Sequence, residues 1–425
     1  MLSKAHKIRT ILRLFSSVAF FSVFSTTVFA SGFQLFEQNA IVAGNYGASL
    51  AVDTHDASIG YFNSAGLTDI HNPQAVIGGD VIFSSLYFKG NTSVFGIPVA
   101  SNAEAATRNV APIPFLHLSM PLSDRIVVSL NAVVPFGLAT DWQDISPVRY
   151  SATKTSIQSL NIGPSVGFKI TDNLSVGAGF DTQYVKATLD SAVFTGVSDL
   201  ISHNNADGWG YGWHIGGLYK ITPKTQIGAS FRSQVGQHLH GTSELRNPAG
   251  ATLFANSNVK AALTLPSTTI LSLLHNYNKK LSFSGTVAFT QWDSVQSLVI
   301  QNVQGIGTTS TVTIPQNYRN TWRASVGTNY QLNTQWLLRA GVGYDQTPTT
   351  ENNRNMRLPD GDRIGLAIGA HYQATKSVGV DMGYTHLFMF DGLVHNVAAP
   401  QSAAVNGRTS NNADILGLQL VWDIA

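Results

Sequence analysis

The chain has no cysteine, which excludes disulfides, thiol nucleophiles and cysteine-ligated metals. Charge is scarce as well. Asp, Glu, Lys and Arg make up 12% of its 425 residues, about half of what a soluble domain carries. Beyond residue 30 no apolar run is long enough for a transmembrane helix. No phosphate-binding loop is present either, because the glycines fall in strand-like alternation with no helix following. These absences argue against a cytosolic enzyme, a helical membrane protein and a nucleotide-binding fold.

What the chain does have is 38 glycines, 22 phenylalanines, 13 tyrosines and 7 tryptophans. Low charge with many glycines and aromatics suits a membrane β-barrel. A soluble β-sandwich or a secreted β-helix is the rival reading.

The first thirty residues read as a signal peptide. Lys4, Lys7, Arg9 and Arg13 are its basic start, Leu14 to Val28 its apolar run, and Val28-Phe29-Ala30 its cleavage site. The whole chain holds 26 Lys+Arg against 24 Asp+Glu. The leader takes four of those cations and no acid, so the mature chain has 22 against 24, net −2. The basic pI therefore belongs to the precursor and implies no nucleic-acid partner.

From about residue 73 the pattern has period two. Leu174, Val176, Ala178 and Phe180 alternate with Ser175, Gly177, Gly179 and Asp181. Trp336, Leu338, Ala340 and Val342 alternate with Arg339, Gly341 and Gly343, and Val378, Val380, Met382 and Tyr384 with Gly379, Asp381 and Gly383. Short turn-like links at 122–125, 171–173, 222–225, 276–279, 332–334 and 374–376 alternate with longer ones around 91–107, 137–153, 191–206, 242–257, 301–311 and 391–405. Short periplasmic turns and long outer loops give that alternation in a barrel. The links bound about fourteen strands, an even number. Trp209, Tyr211, Trp213, Trp292, Trp322, Tyr330 and Trp336 lie near strand ends, as interfacial rings do.

Several stretches, in order along the mature chain, resemble the FadL family of outer-membrane transporters for long-chain fatty acids and other hydrophobic molecules. They are S-G-F-Q-L at 31–35, P-F-G-L-A-T at 135–140, P-S-V-G-F-K at 164–169, W-G-Y-G-W at 209–213, F-R-S-Q-V at 231–235, L-P-D-G-D-R at 358–363 and D-M-G-Y-T-H at 381–386. The resemblance implies an all-β fold: a transmembrane antiparallel barrel of about fourteen strands over 73–425, with residues 31–72 as an N-terminal hatch plugging the lumen. It implies passive transport by capture on outer loops, binding in an inner pocket, hatch rearrangement and lateral exit through the wall. The implied location is the outer membrane of a Gram-negative bacterium.

By the same resemblance Gly32, Phe33, Asn63, Ser64 and Ala65 belong to the hatch. The family's Asn-Pro-Ala is Asn63-Ser64-Ala65 here. Pro135 and Gly137 are the wall-gap candidates, since proline cannot donate to a ladder and glycine tolerates unusual dihedrals. A carboxylate ligand calls for a cation in an apolar pocket. The family's two basic residues fall near Ser191 and Ile314, so Arg319, Lys186 and Arg149 are the nearby replacements.

The expected ligand is a long-chain fatty acid. An aromatic hydrocarbon is the alternative, and a barrel lipase or a nonspecific porin are the readings from other classes. No cofactor is expected, and the partners are outer-membrane lipids and, during biogenesis, the barrel assembly machinery. His238 and His240 share a strand face, yet no carboxylate nearby completes a metal site, so none is assigned.

Overall fold

The computed structural model describes residues 32–398 and 400–424. The signal peptide expected over residues 1–30 lies outside the described residues.

Twenty strand segments form one closed antiparallel sheet. Eight staves are single segments: β1 (Gln74–Val94), β2 (Ile97–Pro121), β5 (Lys154–Lys169), β6 (Leu174–Val193), β7 (Leu200–Thr222), β16 (Trp336–Asp345), β17 (Arg363–Gln373) and β20 (Ala403–Asp423). The other six are each two segments across a short break. They are β3 (Ile126–Val133) with β4 (Gly137–Asp141), β8 (Thr225–Arg232) with β9 (Val235–Arg246), and β10 (Thr252–Leu265) with β11 (Thr268–Asn276). Then come β12 (Leu281–Thr290) with β13 (Ser297–Gln304), β14 (Thr309–Pro315) with β15 (Thr321–Gln331), and β18 (Val378–Met389) with β19 (Gly392–Ala398). Fourteen staves result. The first and last close the barrel, from Gln74↔Asp423 to Ser93↔Ala404.

The period-two pattern sets which way each side chain points. On β20, Leu416, Leu418, Leu420 and Trp422 face outward and are exposed, while Ile415, Gln419 and Val421 are buried on the inner side. Outward rings pair across neighbouring staves: Tyr184 with Trp209 at 5.2 Å, Phe289 with Trp322 at 4.5 Å and Trp336 with Tyr372 at 4.6 Å between centroids. Trp292 is a correction. A 3₁₀ turn, Trp292–Ser294, follows the end of β12 and folds this ring inward, where it is fully buried.

The outer links also differ from expectation. Residues expected in a loop at 91–107 mostly continue β1 and β2, joined by a tight turn at Phe95-Gly96. The stretches at 242–257, 301–311 and 391–405 are likewise largely strand. Alternation of polar and small residues reads as a loop in sequence, but hairpin pairing satisfies its backbone groups. The longest link without a strand, 346–362, is one the period-two reading passed over.

Residues 32–70 are almost all buried. They hold a helix (Ala40–Asn45), a single turn (Ile59–Phe62) and a 3₁₀ helix (Ser64–Asp69). Their partners are inward-facing groups from widely separated staves. Ala40 N donates to Gln419 Oε1 at 3.0 Å, Thr385 Oγ1 donates to Ala43 O at 2.7 Å, and Ala51 N donates to Ser272 Oγ at 3.0 Å. Strand glycines make room for this segment. A Cβ on Gly341 would come within 2.0 Å of Asn45 O, and one on Gly228 within 2.0 Å of Ala51 O. That explains why glycine occupies so much of the polar face in the sequence.

Candidate functional site: an apolar cavity against the N-terminal segment

Asn63 anchors the middle of the segment. Its Oδ1 caps the 3₁₀ helix by accepting from Ala65 N at 3.2 Å, while Nδ2 donates to Ala51 O at 2.8 Å and Gly217 O at 3.0 Å. Ser64 Oγ donates to Gly60 O at 3.2 Å, and Ala65 is fully buried. Lumen arginines hold the rest. Arg323 lies 4.0 Å over the Tyr46 ring and 4.7 Å over that of Phe36, and donates to Tyr46 O at 3.2 Å. Arg232 lies 4.3 Å over the Tyr61 ring and donates to Tyr61 O at 2.6 Å.

The start of the segment meets the third stave where that stave breaks. Val134, Pro135 and Phe136 separate β3 from β4. Leu35 N donates to Pro135 O and Gly137 N to Phe33 O, both at 2.8 Å, so Gln34 and Phe136 form an antiparallel bridge. The ladder between β2 and β3 runs from Leu116↔Ala132 to Pro121↔Val127, although β2 itself begins at Ile97. Pro135 thus sits within the break and Gly137 at its far edge.

Beside this junction lies a narrow cavity. Phe33, Leu138, Ile157, Leu189, Leu239, Leu263, Ile300, Tyr318 and Leu358 supply apolar walls. Trp292 backs Phe33, edge-on at 4.8 Å, and Tyr318 at 5.8 Å. The polar lining is Thr155, Asn204, Asn205, Gln316, Asn355 and Arg357. A cavity with mainly apolar walls and few polar groups suits a hydrophobic small molecule.

Arg357 is its only cationic lining residue among the described residues. It lies in the 346–362 link. Asn355 Oδ1 accepts from the backbone N of Arg357 (3.0 Å) and of Leu358 (3.2 Å), turning the chain inward. Trp142 Nε1 donates to Met356 O at 2.7 Å and pins the same turn. The Arg357 guanidinium donates to Thr155 Oγ1 at 3.3 Å and Asp190 O at 3.2 Å. Burial pushes it down to about 10, with Asp190 opposing. A guanidinium so disfavoured by desolvation gains from an anion. Arg357 also borders two outer cavities.

The three cations expected from sequence do not line the inner cavity. Lys186 lies between inward-facing Val185 and Ala187, so strand alternation turns it outward, where it is exposed. Arg149 pairs with Asp199 at 2.7 Å in an outer link. Arg319 donates to Thr347 O at 3.1 Å, lies 3.5 Å from Asp362, and is 45% exposed. Arg357 was missed because its link carries no periodicity. The available signal was its position directly before the L-P-D-G-D-R motif.

A family model described as "Outer membrane protein transport protein (OMPP1/FadL/TodX)" matches residues 21–423. The chain is 24% identical over 404 residues to a long-chain fatty acid transport protein of Escherichia coli O6:H1, covering 86% of this chain and 89% of that one. It is 26% identical over 400 residues to outer membrane protein P1 of Haemophilus influenzae, covering 84% and 86%. Among solved structures, a Pseudomonas aeruginosa FadL homologue superposes with a TM-score of 0.84 at 24% identity, over 93% of this chain and all of that one. The Pseudomonas putida toluene transporter TodX gives 0.66 at 17% identity, over 85% and 92%. The fold, the closed barrel and these matches agree: the chain is a Gram-negative outer-membrane protein belonging to the FadL/TodX family of transporters for hydrophobic compounds.

Proposed function

We propose that the protein carries long-chain fatty acids passively across the outer membrane, with residues 31–72 serving as the hatch. The observation that carries this reading is one half-buried guanidinium, Arg357, at the edge of a largely apolar cavity. A fatty acid presents the matching chemistry, a carboxylate on a long apolar chain. Arg357 borders both the outer cavities and the inner one, so a head group can be handed inward while the tail leaves water. The tail meets Phe33, whose backbone O holds Gly137 N. Pushing Phe33 aside loosens the bridge at the broken third stave, and the cargo leaves sideways into the bilayer beside Pro135 and Gly137.

The second reading is a monoaromatic hydrocarbon, favoured by the Phe33, Trp292 and Tyr318 rings at one end of the cavity. Uptake of labelled oleate and of toluene in a transporter-deficient Gram-negative host separates the two. With Arg357→Met, oleate uptake at limiting concentration should fall about tenfold or more, the worth of a charge-assisted hydrogen bond, while toluene uptake stays level. Uptake of toluene alone by the wild type would favour the aromatic reading. Uptake of neither would overturn transport of both.

A further inference from the structure

His238 and His240, the pair weighed for metal binding in the sequence, are exposed on the outward face of β9. The fold brings together a different trio. His55 belongs to the N-terminal segment and is exposed, whereas His371 on β17 and Asp381 on β18 are inward and buried. We propose that these three residues form a transition-metal site that ties the N-terminal segment to the barrel wall near the short β17–β18 turn.

The distances carry the argument. His55 Nε2 lies 3.3 Å from His371 Nδ1, and His371 Nδ1 lies 3.1 Å from Asp381 Oδ1. Zinc bonds of about 2.0–2.1 Å in tetrahedral geometry place neighbouring ligand atoms about 3.3–3.4 Å apart. Two edges of the tetrahedron therefore already have nearly the right length. All three donor atoms lie within 4.8 Å of one another, and rotation of the exposed His55 closes the third edge. Water completes the set from the open side.

The surroundings orient the donors as metal sites do. His371 Nε2 faces Gln373 Oε1 at 3.1 Å. With the proton on Nε2, donated to Gln373, the Nδ1 lone pair would be turned toward the trio. Asp381 Oδ2 accepts from Gln419 Nε2 at 3.1 Å, so the oxygen that faces His371 is Oδ1, which a metal would share with Arg339. Arg339 Nη1 sits 2.6 Å from Oδ1 and offsets the carboxylate charge. The site therefore disfavours calcium and magnesium, which bind by oxygen charge, and selects Zn²⁺, Ni²⁺, Co²⁺ or Cu²⁺ through its imidazoles.

Binding of the ion stands on this geometry alone. Its consequence, a slower hatch, rests on the hatch reading. The test is titration of tag-free protein in detergent with Co²⁺, read by its visible ligand-field absorption, and with Zn²⁺ by calorimetry. One equivalent should bind. His55→Gln and His371→Gln should each lower affinity about 100-fold, and Gln373→Leu about 10- to 100-fold. Folding of each variant is checked by heat-dependent gel mobility. If His371→Gln misfolds, His55→Gln decides, since that side chain is exposed. No binding by the wild type, or unchanged binding in the His55 variant, overturns the site. Stoichiometric binding lost in that variant supports it even if Zn²⁺ leaves uptake unaltered, a result that would count against the hatch reading instead.

Discussion

Gln38 stands in for the missing ladder at Val134. Val134 N donates to Gln38 Oε1 at 3.0 Å, and Gln38 Nε2 donates back to Val134 O at 2.7 Å. One side-chain amide thus completes the backbone of the residue that precedes Pro135. Gln38 is itself positioned by His117 Nε2, 2.8 Å from Gln38 O. Gln38→Leu keeps the volume but strands two backbone groups, at about 1–3 kcal/mol each. Amide exchange at Leu35, Val134 and Gly137 should accelerate, with the rest of the barrel unchanged. Undiminished protection at those three amides would show that the bridge between Gln34 and Phe136 does not depend on Gln38.

Phe33 links the cavity to that same junction. Phe33→Ala removes the ring that meets Trp292 at 4.8 Å and Phe136 at 5.9 Å. Losing a buried phenylalanine costs about 3–5 kcal/mol where the site cannot collapse. Oleate affinity, followed by quenching of tryptophan fluorescence, should fall at least tenfold. Equal affinity in the variant would place the ligand elsewhere than against Phe33.

The glycine seats offer a test of the hatch that needs no substrate. A Cβ on Gly216 would lie 2.0 Å from Asn63 Oδ1, whereas one on its neighbour Gly217 meets nothing within 4 Å. Valine suits a strand, so Gly216→Val should assemble yet dislodge Asn63 and its segment. In planar bilayers the wild type should pass almost no current, Gly216→Val should open steps, and Gly217→Ala should match the wild type. Large steady conductance from the wild type would remove the hatch and favour a porin.

Ser64 occupies the first position of the 3₁₀ helix capped by Asn63. Proline is well suited to a first helical position. Ser64→Pro removes the bond to Gly60 O, but it stiffens the unfolded chain by about 0.4–1 kcal/mol. The barrel should assemble normally and oleate uptake should slow. Unaltered uptake would mean that the position is merely a turn.

The period-two pattern made the barrel legible, since one inward residue in two is what a closed sheet with a polar interior requires. It also placed Arg323, which shares the inward face of Thr321 and Ser325. It could not place Arg357, because a link without periodicity is positioned by Asn355 and Trp142, contacts remote from any local signal. Lys186 failed for the opposite reason: its strand was recognised but not its facing. Trp292 stood near a strand end in sequence, yet the 3₁₀ turn after β12 sends it inward. Local rules gave direction within strands and nothing at the breaks between them, where the cavity is built.

β1 alone has 21 residues and β2 has 25, whereas about 9–11 tilted residues cross a bilayer. At ~3.3 Å per residue and a tilt of about 45°, such a stave climbs roughly 50 Å, twice the ~25 Å apolar band of an outer-membrane barrel. The wall therefore stands as a chimney above the lipid. On the proposed transport reading, a hydrophobic molecule captured at the rim would travel along protein for roughly half the height of the stave before reaching the level of the lipid, which shortens the aqueous part of its path.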